Sequence, residues 1–217
     1  MANYSVLVDL SGTWHNEASR TRNEALLRTV GIAVKEAALR PRGAPAAIRY
    51  HVIGSRSLMR DTICFADFAP VLMGQRGEVD PNKITNTEDL TAYLTEICAT
   101  AILSNDAEPY TEISATLATA LASITPSGAA RRILLLSDMK EDPAVAFDLS
   151  DRDFTGVDVI ILYRTVEEDM RDPAQLEARI ASWRSHLEGV GARVYARPDT
   201  GLTVRDLTAF LSGDLPG

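Results

Sequence analysis

The chain has 217 residues, 46% of them hydrophobic and 24% charged, with a formal net charge of -8. This length suits one α/β domain with a sizeable core and is short for two, and the ordinary composition excludes disordered and fibrous classes. The acidic balance, with no Lys/Arg cluster to offset it, argues against a nucleic-acid partner, because binders of the phosphate backbone present a basic face.

The chain opens on a short apolar run, Tyr4-Ser-Val-Leu-Val, that ends in Asp9, Ser11 and Thr13 at alternate positions. A run of this kind bounded by Gly12 predicts a strand buried on both faces. Because the backbone must turn at Gly12, the carboxylate and the two hydroxyls need not keep strand alternation and can converge on a candidate cation site. Leu26, Val30, Ala33 and Ala37 then recur at helical spacing, predicting a helix from about residue 16 to Arg40 that Pro41 stops.

Residues 47–53 form a predicted second strand and residues 57–65 a third. Only a Gly-Ser-Arg turn separates them, too short for a helical crossover, so they should pair antiparallel at a sheet edge. Residues 66–85 fit no period and predict a long surface loop. A helix is expected over about 87–103, and a second, on Ile113, Leu117, Ala120 and Ile124, restarts at Thr111. Residues 131–138 make a strongly apolar strand that ends in Asp138, and residues 157–163 make another. The next helix has Asp172 as N-cap, Pro173 at its first position and Leu176, Ile180, Trp183 and Leu187 as its apolar stripe. Residues 192–196 predict a last strand, and Thr203 opens a C-terminal helix.

Strands alternating with helices in this order predict an α/β fold: a doubly wound, mostly parallel six-stranded sheet with one antiparallel edge strand and helices on both faces, spanning residues 1–217 as a single domain. In such sheets ligands bind at the carboxyl ends of strands where strand order reverses. The first strand and the 131–138 strand should be neighbours there, which sets Asp9 beside Asp138.

The remaining residues read plainly. Cys64 and Cys98 lie in apolar contexts and are expected as small buried hydrophobes, with a disulfide as the alternative. His51 sits inside a strand and His186 on a helix flank, without a nucleophile or metal-ligand companion. Trp14 and His15 are expected to pack at a helix start, with a rim role as the alternative. Glu141, Asp142, Asp148, Asp151 and Asp153 make a solvated acidic loop. Tyr163, Tyr195 and Trp183 are expected at core edges. There is no basic leader followed by an apolar stretch and no window near the roughly 18 apolar residues of a membrane helix, so the chain reads as soluble and cytoplasmic as it stands, unless it is a domain of an exported or anchored protein.

Taken together, Asp9-Leu-Ser-Gly-Thr13, Thr111 at the head of Thr-Glu-Ile-Ser, and Leu136-Ser-Asp138 resemble the three parts of the metal-ion-dependent adhesion site of von Willebrand factor type A domains. The likeness runs from the first strand to the last helix. It departs from the family pattern at Thr13, where Ser is commoner, and at Pro109-Tyr110 and Met139, where the family carries Gly. The resemblance implies that Ser11 and Thr13 give hydroxyl oxygens to Mg2+ (or Mn2+ or Ca2+). Thr111 would add a third oxygen, directly or through water, while Asp9 and Asp138 act mainly through waters or hydrogen bonds. Mg2+ suits this set because it takes six oxygens and keeps waters.

The implied function is non-enzymatic: a protein-interaction module whose cation grips an acidic residue of a protein partner, without nucleic-acid binding or membrane insertion. Two alternatives stand beside it. One is a haloacid-dehalogenase-like phosphatase, in which Ser11 would occupy the place of the second Asp and forfeit proton transfer worth about 10²–10⁴ in rate. The other is a structural subunit with a vestigial site.

Overall fold

The computed structural model describes residues 1–12, 19–40, 44–55, 58, 62–70, 83–125, 130–142 and 146–214. Strand β1 (Ala2–Asp9) is buried along its whole length and lies between β2 (Ala46–Ile53) and β4 (Ala130–Ser137), parallel to both. Outside β2 runs β3 (Cys64–Phe68), antiparallel, and beyond β4 come β5 (Asp158–Tyr163) and β6 (Arg193–Pro198), both parallel. The order β3-β2-β1-β4-β5-β6 is therefore the doubly wound sheet with one antiparallel edge that the pattern predicts. Strand order reverses between β1 and β4.

Strand alternation divides the apolar residues between two cores. Tyr4, Val6 and Val8 point with Leu134 and Leu136 into one, closed by helices α1 (Arg20–Ala38) and α7 (Val204–Ser212) and by the helical run over residues 87–103. Leu7, Ile133 and Leu135 point into the other, closed by α4 (Ile113–Ser123) and α6 (Pro173–Gly189). Each fully buried Leu or Ile here contributes about 1.5–3 kcal/mol. Helix α6 is the shallowest element, and Leu187 is its one fully buried side chain. Its predicted cap is present: the Asp172 side chain accepts from the Gln175 N–H at 3.2 Å. Thr203 and Asp206 close a reciprocal capping box at the start of α7.

Four expectations need correction. The third strand is Cys64–Phe68, not 57–65, so its link to β2 is longer than a three-residue turn; residues 56, 57 and 59–61 lie outside the described set. The antiparallel pairing nevertheless holds, because the edge position follows from chain reversal whatever the loop length. Residues 66–68, expected in a loop, belong to that strand, and 71–82 lie outside the described residues. The helix over 87–103 is composite: α2 (Thr87–Ala92), a π-helical turn (Tyr93–Cys98) and α3 (Ala99–Leu103). A short helix, α5 (Glu167–Arg171), precedes α6 where none is expected.

Cys64 and Cys98, expected as buried thiols, are joined in a disulfide with Cα atoms 5.4 Å apart. Sequence context could not decide this, because both cysteines are apolar and buried in either state. What decides it is that the π-helical turn and the edge strand lie side by side. Gly31 of α1 allows that turn to pack closely, since a Cβ there would sit 3.2 Å from the backbone of Leu94. The bridge ties the edge strand to the helical layer across a separation of 34 residues. We expect Cys64→Ser/Cys98→Ser, or reduction, to cost about 3–4 kcal/mol by the loop-closure relation, read as a lower denaturant midpoint with the far-UV circular dichroism unchanged.

Candidate functional site

The candidate site lies at the carboxyl ends of β1 and β4, where the order of strands reverses. Asp9 closes β1 and is fully buried (0% exposed). One of its oxygens accepts from the Ser11 N–H at 2.8 Å, and the other accepts from the Ser137 hydroxyl at 2.6 Å. Asp138, the first residue after β4, is 1% exposed, and its Oδ1 accepts from the Lys140 N–H at 2.9 Å. Burial, and then the neighbouring Asp138 carboxylate, push Asp9 up to about 6, against the pull of its hydrogen bonds to Ser137 and Ser11. Two acids are thus held side by side in a place poor in water.

Three loops are stitched together around this pair. Leu10 extends the β1–β2 ladder by donating to Ile53 O at 3.2 Å, and the Glu108 N–H donates to Leu10 O at 2.9 Å. Ser11 itself bridges to Glu108, so the segment ahead of Thr111 is seated on the chain that carries Ser11. Thr111, 8% exposed, then accepts through its carbonyl from the Asp142 N–H at 3.1 Å, which ties its loop to the one that follows Asp138. The Glu108 side chain lies flat on Gly54, where a Cβ would come within 2.3 Å of its Cγ, and accepts from the Ser55 N–H.

The structure thus brings together Asp9, Ser11 and Asp138, with Thr111 on the adjoining loop. Thr13, Trp14 and His15 lie outside the described residues. Among the described residues no three His, Cys, Asp or Glu side chains gather at one point.

Several residues that shape the site carry no motif signal. Ser137 supports Asp9, and strand alternation with Ile133 and Leu135 could have placed it on that face. Glu141, expected to be solvated, is half-buried instead: it accepts from the Ser114 N–H and hydroxyl at 2.6 and 2.5 Å, capping α4 from the neighbouring loop. Asp148, Asp151 and Asp153 are exposed as expected. At the end of β5, buried Arg164 donates to Asp199 at 2.9 Å and to Asn23 of α1 at 2.7 Å, and its own N–H donates to Ser137 O. Burial draws that guanidinium below its ordinary pKa, while Asp199 and, more weakly, Asp9 hold it up. His51 is buried in β2, where burial and then Arg49 lower it to about 4. Tyr163, Tyr195 and Trp183 are half-buried, at the core edges.

The turn after Asp138 is held by both its core and its neighbours. Met139 takes a left-handed backbone, φ 63°, a conformation that costs a residue with a Cβ roughly 1–2 kcal/mol. The Met139 side chain is buried in the second core, which offsets that cost. Helix α6 holds the turn from outside: Arg179 Nε donates to Asp138 O at 3.2 Å and Trp183 Nε1 donates to Met139 O at 3.1 Å.

By sequence the chain matches no family model and no curated protein. By structure it is similar to the von Willebrand factor type A protein from Catenulispora acidiphila, with a TM-score of 0.57 at 16% identity over 97% of this chain and 42% of that one. It is also similar to the pilus adhesin SpaC from Lactobacillus rhamnosus GG, with a TM-score of 0.50 at 11% identity over 98% of this chain and 29% of that one. This chain spans less than half the length of either. With the sheet order, these likenesses define the fold as that of von Willebrand factor type A domains, mostly parallel with one antiparallel edge. Among the described residues no helix is long and apolar enough to cross a membrane.

The raised Asp9 pKa has a signed consequence for the metal-free protein. The folded state holds this proton more tightly than the unfolded one, whose value is 3.8, so the favourable contribution is complete at low pH and lost as pH rises through about 6. His51 works oppositely: stability falls as pH drops from 6.5 towards 4. Asp9→Asn isolates the first effect. Without divalent ions, the stability difference between variant and wild type should grow in the variant's favour from pH 4 to pH 7, by at most about 3 kcal/mol, as measured by urea melts across that range.

Proposed function

We propose that the chain is a non-enzymatic protein-interaction module that holds a divalent cation, Mg2+ or Mn2+, at the carboxyl ends of β1 and β4 and uses it to bind a carboxylate on a partner protein. The observation that carries this reading is the buried juxtaposition of Asp9 and Asp138 with Ser11 between the loops. Two adjacent buried carboxylates repel each other and are poorly solvated, and a hard cation relieves both costs. The oxygens of the motif suit that cation: Ser11 and Thr111, with Thr13 by the sequence resemblance, as neutral hydroxyls, and Asp9 and Asp138 as the charged groups. Neutral hydroxyls cancel little of the ion's charge, so it retains attraction for an incoming acid. Ca2+ fits the same oxygen chemistry but prefers more ligands than these five residues offer.

The likeness to a pilus adhesin supports an interaction role at the level of the fold. The formal charge of -8 favours local over long-range capture of an acidic partner, because the protein as a whole repels it while the ion attracts it at close range.

A ligand that binds only the folded protein must stabilise it, by about 2.7 kcal/mol at a concentration of 100 Kd. Titrating Mg2+ or Mn2+ into metal-stripped protein should raise the melting temperature, and Ser11→Ala should remove most of the rise without lowering the metal-free melting temperature appreciably. A wild-type melting temperature indifferent to both ions would overturn the proposal.

A further inference from the structure

Helix α6 is exposed along most of its length, yet two of its side chains reach the backbone of the site. Arg179 and Trp183 lie one helical turn apart and grip consecutive carbonyls, those of Asp138 and Met139. Between those carbonyls lies the positive-φ residue, the one non-glycine among the described residues with such a backbone. The same turn aims two N–H groups at the site: Met139 donates to Ser137 Oγ at 2.9 Å, and Lys140 donates to Asp138 Oδ1 at 2.9 Å. Ser137 Oγ in turn donates to Asp9 Oδ2.

A relaxation of Met139 to right-handed backbone would rotate both flanking peptides. The carbonyls would leave α6, and the N–H groups would leave Ser137 and Asp138. A glycine could hold this turn unaided. A methionine is held there by its side chain in the second core and by the pinned carbonyls together.

We infer that Trp183 and Arg179 are positioning residues for the cation site: by holding the Asp138 and Met139 carbonyls they keep the left-handed turn that aims Asp138 and, through Ser137, Asp9. The inference rests on the function proposed above. The grip is itself anchored, since Arg179 Nη2 pairs at 2.7 Å with Asp169 Oδ1, whose side chain is fully buried, and Asp169 also accepts from the Val166 N–H. Helix α5 therefore braces α6 against the turn. A cavity lined by Ser114, Glu141, Phe147, Ser182, Trp183 and His186 lies on this side of α6, so the Trp183 ring packs against the second core on one side only and its N–H bond adds to what holds it.

The test uses the full chain. Trp183→Phe keeps the ring and deletes only the donor; Arg179→Lys keeps the charge facing Asp169 and deletes the Nε donor. Each should weaken Mn2+ binding about five- to tenfold, the scale of one lost hydrogen bond, measured by calorimetry or electron paramagnetic resonance. Met139→Gly should bind Mn2+ within about twofold of wild type, and Trp183→Phe/Met139→Gly should match Met139→Gly, because glycine removes the need for the grip. A purely structural role for Trp183 would leave the double variant as weak as Trp183→Phe.

Amide exchange gives a metal-free reading. The Lys140 N–H should exchange faster in Trp183→Phe and return to its slower rate when Met139→Gly is added. Wild-type Mn2+ affinity in Trp183→Phe, or no rescue by glycine, overturns the positioning role and leaves the cation site standing. If wild type binds no Mn2+, the cation reading fails on its own, and an unchanged Lys140 exchange rate then overturns the positioning role as well.

Discussion

Two carboxylates forced into one buried corner set the terms for the rest of the molecule. Asp9 and Asp138 meet because β1 and β4 are parallel neighbours and both chains run out of strand at the same edge. Neither acid reaches bulk water, so each must be held by donors: the Ser11 and Lys140 N–H groups and the Ser137 hydroxyl. Even so, Asp9 titrates near 6. Burial and the neighbouring carboxylate both disfavour the charged form of Asp9, and the hydrogen bonds from Ser137 and Ser11 offset only part of that cost.

The loops around that corner are held as a unit. Glu108 joins the segment ahead of Thr111 to the chain that carries Ser11, Asp142 joins the Thr111 loop to the Asp138 loop, and Glu141 caps α4 from the same loop. Each bond is ordinary, worth about 0.5–1.5 kcal/mol net. Their placement matters more than their number, since every one crosses between two of the segments gathered at this end of the sheet.

Elsewhere the fold handles its weak points by local devices. The antiparallel edge strand β3 is fastened by the Cys64–Cys98 bridge to the helical layer behind it, and on its outer side it is hydrogen-bonded to Ile84 at its end. Arg164, a buried charge beneath the site, is answered by Asp199 and Asn23 and thereby links the ends of β5 and β6 to the first turn of α1. Met139 shows the reverse economy: a strained backbone is tolerated because its side chain fills the core and α6 holds its carbonyl.

The linear order of residues was enough to determine the architecture. Apolar runs of strand length alternating with helical stripes, together with a β2–β3 link that is longer than the expected turn yet still too short for a helical crossover, lead to a doubly wound sheet with β1 beside β4, and that adjacency places Asp9 next to Asp138. Period is a local property, which is why it could be read in advance; the β2–β3 link was misjudged because the start of the third strand was. Tertiary structure alone decided the rest. Whether Cys64 and Cys98 bond depends on two surfaces meeting across 34 residues of separation. Whether Glu141 is solvent-facing or a cap depends on where α4 begins beside it. That Met139 can stand in for glycine depends on Arg179 and Trp183, about 40 residues downstream. Contacts between distant segments leave no period in the chain, so they become visible only when the sheet and its helices are assembled.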